Sequence, residues 1–119
     1  MEGTKRMLWI ALAVLAVAAI GGVTLAVALV RQRPFPASVG YIHGAVGLAG
    51  VVLLAIAVFA HSQGMPVNSA LLLFSLAVVG GAFNLLFRLQ REPPPVFMVI
   101  LHGGAALVGL ALLLIGVGG

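Results

Sequence analysis

The chain has 119 residues, 63% of them hydrophobic and 7% charged, with a net charge of +4 and no cysteine. A soluble domain carries about 25% charged residues, so a water-soluble fold is excluded. The lack of cysteine excludes disulfides, thiolate metal sites and thioether-attached cofactors, and the few cations sit at membrane edges rather than in a patch suited to nucleic acid.

Residues 1–6 read as a short polar start. The apolar run 7–30 follows, with no Asp, Glu, Lys or Arg. About 20 residues suffice for a helix to cross the hydrocarbon. Lys5 and Arg6 before it resemble a signal peptide, but the apolar core is too long for one, and a retained helix is expected. Arg31 and Arg33 mark a membrane surface, and Pro34 and Pro36 break the chain. Pro36 can open a second helix, about 37–60, because a first turn needs no amide donor. His61 to Gly64 form a polar turn. Pro66 opens a third helix, about 66–88. Gln90, Arg91, Glu92 and three prolines make the next link, and a fourth helix covers about 96–117.

In lipid the backbone must satisfy its own hydrogen bonds, so runs this long are helices. The expected class is all-α: one membrane domain, 1–119, forming a four-transmembrane-helix bundle. Its short links make successive helices antiparallel neighbours. Four arginines (Arg31, Arg33, Arg88, Arg91) lie on one side and Lys5 and Arg6 on the other. That bias places the Arg-rich loops in the cytoplasm and both termini outside. The excess of Arg over Lys, with abundant Ala, Gly and Val, suggests a bacterial inner-membrane protein.

A shift of 59 residues aligns 5–60 with 64–119 without a gap. The rarer residues match at this one offset: Gly21-Gly22 with Gly80-Gly81, Pro34 with Pro93, Pro36 with Pro95, His43-Gly44 with His102-Gly103, and Gly50 with Gly109. The chain is a duplicated helical hairpin. Each copy has an even number of helices, so the repeats are parallel and related by a pseudo-two-fold axis along the membrane normal.

That axis puts His43 and His102 at one depth, inside the hydrocarbon and nearer the Arg-rich face. Intramembrane ionisable residues are functional by default. In a square bundle the second and fourth helices lie on a diagonal of roughly 11–14 Å, which leaves room for imidazole, metal, imidazole. The stripe deeper than each histidine is nearly bare: Gly47 and Gly50 beyond His43, Ala106 and Gly109 beyond His102. Gly22 and Gly81 add small walls at similar depth. A flat porphyrin between two axial histidines needs that shape. The expected cofactor is one haem b per chain, with six-coordinate iron suited to electron transfer. Arg31 and Arg88 are candidates for its propionates. Asn84 is a candidate for a bond to a histidine ring or a propionate, with Thr24 and Tyr41 as weaker ones.

The layout resembles the small four-helix b-type cytochromes of membranes and the haem-carrying anchors of respiratory complexes. The resemblance rests on the architecture and the pair His43/His102; no longer motif is matched. It implies electron transfer, quinone-linked or through a redox partner. It also departs from those that carry electrons across a membrane, which usually have two haems; here there is one histidine pair, so a partner subunit or a second copy would supply the rest.

The alternative is a haem-free accessory or scaffold subunit, in which the histidines fix packing and the glycines serve close helix approach. A small multidrug-type carrier is disfavoured, because Glu2 and Glu92 both lie outside the hydrocarbon.

Overall fold

The computed structural model describes residues 2–119. Four helices follow one another: α1 (Glu2–Val30), α2 (Ala37–Ala60), α3 (Met65–Leu89) and α4 (Val96–Gly118). All four are long and apolar enough to cross a membrane. The molecule is 45 Å long, about the thickness of a bilayer with its headgroups. The second and fourth helices begin as expected, each after a proline at the N-cap, Pro36 and Pro95. The start of α1 differs: the polar residues 2–6 continue the helix instead of preceding it. Extending a formed helix costs far less than nucleating one, and Glu2 lies in the first turn, where a negative charge favours the helix dipole.

The two long links share one construction. The amide of Arg33 donates to the Ala28 carbonyl at 2.8 Å and that of Gln32 to Leu29 at 3.1 Å; Glu92 donates to Phe87 at 2.9 Å and Arg91 to Arg88 at 2.9 Å. These are paired Schellman closures, and their left-handed positions fall on Gln32 (φ 54°) and Arg91 (φ 61°). Glycine is the usual residue there, since a Cβ is crowded in that conformation. Gln32→Gly is therefore expected to stabilise the protein by about 0.5–1 kcal/mol, read as a higher midpoint of thermal unfolding in detergent.

The helices pack as a square. α1 lies closely against α2, and α3 against α4. The two hairpins touch more sparsely, through α1–α4 and α2–α3. The diagonal partners stay more than 8 Å apart between Cα atoms. Burial obeys the duplication. Leu8 and Val67, Ala11 and Ala70, Leu15 and Phe74, and Leu54 and Leu113 are buried pairs 59 residues apart. Between lipid-exposed helices, attraction comes from dispersion and close fit rather than from leaving water, so contact quality matters most.

This packed region fills only the half of the bundle near the termini and the α2–α3 turn. In α1 the buried stripe is Leu8, Ala11, Leu15 and Ala18. The same stripe continues through Gly22, Leu25 and Leu29, which instead line a cavity. α3 repeats this with Val67, Ala70, Phe74 and Ala77 below, and Gly81, Asn84 and Arg88 on the cavity above. The hairpins therefore meet at one end and part at the other, the end that carries the arginines.

Candidate functional site

The void between the hairpins measures about 1210 Å³ and runs from the packed core to the two long links. Its floor is formed by Leu15 and Phe74, and its mouth by Gln32, Arg33, Arg91 and Glu92. His43 and His102 both line it.

The histidines are held alike. His43 Nδ1–H donates to the Ala18 carbonyl at 2.8 Å, and His102 Nδ1–H to the Ala77 carbonyl at 2.6 Å. Each bond ties α2 to α1 or α4 to α3 across the same 25-residue separation. A carbonyl can only accept, so a proton sits on Nδ1, and a neutral ring so bonded would keep its lone pair on Nε2. That is the arrangement of a histidine ligand whose second nitrogen is fixed by a backbone oxygen.

The ring centroids are 6.1 Å apart with planes at 86°. Two imidazoles on one metal have two bonds of roughly 2 Å plus the span from each nitrogen to its ring centre, about 6 Å in all. An edge-to-face ring contact made without any ligand has a similar separation. Both Nε2 atoms are without a hydrogen-bond partner while both Nδ1 atoms are fixed, and both rings line the void. Among the described residues no group of three or more His, Cys, Asp or Glu is placed to hold a metal ion. A centre here would take two protein ligands and draw its other donors from a macrocycle.

The glycines divide by role. An atom placed as a Cβ on Gly22 would lie 2.9 Å from His43 Cε1, and one on Gly81 would lie 3.0 Å from His102 Cε1. Gly22 and Gly81 thus seat the imidazoles as well as lining the cavity. Gly47 and Ala106 line it too. Gly50 and Gly109 do not: they are buried in the packed half, under Leu15 and Phe74, where a Cβ would approach to 2.7 and 3.2 Å. The bare stripe expected beyond each histidine is therefore filled within about two turns by a large side chain from the neighbouring helix.

The polar groups divide as well. Arg88 lines the cavity, its guanidinium 4.3 Å from the centre of the Phe35 ring, a cation–π contact. Arg33 and Arg91 also line the mouth, whereas Arg31 does not. Asn84 faces the cavity, with its Oδ1 buried and unpartnered. A buried acceptor without a donor costs about 1–3 kcal/mol, and a ligand in the cavity could relieve that cost. Thr24 is occupied elsewhere, donating to the Ile20 carbonyl of its own helix. Tyr41 is more than half exposed, though it touches the cavity.

The donor set, the ring separation and the size of the void all fit a bis-histidine haem. Sequence reasoning found the two histidines, but not the Ala18 and Ala77 carbonyls or Phe35. A backbone acceptor leaves no residue-type signal, and Phe35 has Pro94 as its repeat counterpart. No protein-family model, curated protein or solved structure matches the chain.

Proposed function

We propose that the protein is a membrane b-type cytochrome, or a cytochrome-like subunit, binding one haem b per chain through His43 and His102. The observation that carries this is the symmetric histidine pair, 6.1 Å between rings, with both Nδ1 atoms committed to backbone carbonyls. Haem bound there would supply a one-electron centre whose iron has no position open to substrate.

The chain's own residues do the rest. Ala18 and Ala77 fix the tautomer and aim of the rings. Gly22 and Gly81 give each ring its seat. Leu15 and Phe74 close the floor and keep water from entering through the packed half. Arg88, lining the cavity below its mouth, offers a counter-charge to propionates. In this proposal the protein sits in a bacterial inner membrane with the Arg-rich loops in the cytoplasm. A single centre near one face cannot carry an electron across, so a quinone, a partner subunit or a second copy completes the path. Large apolar residues such as Ile20, Ile42, Phe59 and Leu101 are exposed around the bundle, which suits lipid or partner helices.

The test is an optical spectrum of detergent-purified protein, oxidised and then dithionite-reduced. Stoichiometric haem with sharp, low-spin α and Soret bands is expected. Protein that purifies without a chromophore and takes up no added haem would overturn the proposal and favour a haem-free scaffold subunit.

A further inference from the structure

The cavity walls are symmetric in backbone but not in chemistry. On α3 the positions facing the void carry Asn84 and Arg88; on α1 the equivalent positions, 59 residues earlier, carry Leu25 and Leu29. All four line the same void. Each pair is spaced i, i+4 within its helix, so its members share one face. Within the helices one wall is therefore polar and cationic and the other apolar at the same depths; the left-handed turns beyond them add Arg91 and Gln32 at the rim. Asn84 lies on the polar wall with no partner for its buried Oδ1; turned end for end, its amide presents Nδ2–H, the donor a carboxylate needs. Arg88, one turn further along α3, has its guanidinium against the Phe35 ring, which comes from the link after α1.

The outermost rim reverses the sign of this difference. Arg33 stands on the α1 side, and its counterpart on the α3 side is Glu92, next to Arg91. Glu92 offsets Arg91, so the cationic character inside the cavity is concentrated at Arg88, about one turn deeper. A ligand with identical edges would gain nothing from such a cavity. A ligand with carboxylates on one edge and hydrocarbon on the other would lose contacts if reversed.

We propose that the cavity takes its macrocycle in one orientation, with the carboxylate-bearing edge toward Asn84 and Arg88 of α3 and the hydrocarbon edge toward Leu25 and Leu29 of α1. This rests on the haem proposal and adds to it which wall reads the acidic groups. Asn84 and Arg88 act as positioning residues. The asymmetry makes a pseudo-two-fold protein discriminate between the two edges of its ligand.

The experiment titrates haem-depleted protein in detergent with ferric haem and, separately, with its dimethyl ester, which has the same ring and no carboxylates. Charged hydrogen bonds are worth enough that Asn84→Leu and Arg88→Leu should each weaken haem binding by about tenfold to a hundredfold. The ester should bind wild type and both variants equally, which also shows that the variants are folded. Arg33→Gln should leave haem affinity nearly unchanged. Proton NMR of the ferric, low-spin protein should show nuclear Overhauser contacts from the propionate methylenes to Asn84 and Arg88 and none to Leu25 or Leu29. Propionate contacts to Leu25 or Leu29 instead, equal losses for haem and ester, or an Arg33→Gln effect as large as that of Arg88→Leu would overturn the orientation while leaving the haem proposal standing. Failure of wild type to bind either compound would overturn the haem proposal itself.

Discussion

The double variant His43→Ala/His102→Ala is expected to fold, to insert and to purify without a Soret band. Each histidine makes one side-chain hydrogen bond, to Ala18 or Ala77, and such bonds between membrane helices are worth only about 0.6–2 kcal/mol. Both rings sit on the open half of the bundle, so their removal takes nothing from the buried set that includes Leu54 and Leu113. Stability should fall modestly, by about 1–4 kcal/mol for the pair, while haem content falls to background. The single variants separate further. In the proposed site either one would leave haem held by a single histidine, so a low-spin spectrum should become high-spin, with haem retained at lower affinity. If the histidines served packing alone, all three variants would lose stability to the same modest degree and no spectrum would change. Full haem retention in the double variant would move the site elsewhere in the molecule.

The architecture and the histidine pair were legible in the sequence because they rest on rare events. Four long runs free of charge admit only helices. His-Gly recurring at the same offset as Pro and Gly-Gly cannot be produced by apolar composition alone. The walls were less legible, for a definable reason. Helical spacing says which residues share the face of His43, but not what the next helix places against that face. Gly50 and Gly109 looked like open wall. They are instead the points where Leu15 and Phe74 enter, so the cavity ends one or two turns sooner than the bare stripe suggested. Arg31 and Arg33 are two residues apart, and which of them faces the mouth depends on the left-handed turn at Gln32. A non-glycine residue in that conformation is hard to anticipate from sequence. The asymmetry between α1 and α3 was visible in the aligned repeats, but its meaning needed the finding that Leu25 and Asn84 face one void.

Adjacent glycines should behave differently, and the contrast tests the seat of the histidine directly. A Cβ on Gly21 would meet His43 Nδ1 at 3.7 Å, an ordinary contact, whereas one on Gly22 would lie 2.9 Å from Cε1. The ring cannot simply swing away, because its Nδ1–H is tied to Ala18 at 2.8 Å. Gly22→Ala must therefore break that bond or push the imidazole off its line toward His102. Metal–ligand distances tolerate only about 0.2 Å, and disturbing the groups that orient a ligand typically costs about tenfold to a hundredfold in affinity. Haem binding by Gly22→Ala is expected to fall by that factor, with loss of low-spin character. The same substitution raises helix propensity by about 1 kcal/mol, which offsets the lost bond, so thermal stability without haem should change by no more than about 1 kcal/mol. Binding then falls tenfold or more while stability barely moves, which a general packing defect would not produce. Gly21→Ala should show the gain in stability with haem affinity unchanged. Gly81→Ala, whose Cβ would lie 3.0 Å from His102 Cε1, should repeat the Gly22→Ala result in the second hairpin. Equal haem affinity for Gly21→Ala and Gly22→Ala would mean that the imidazole is free to move, and a ring that moves freely is not a preorganised axial ligand.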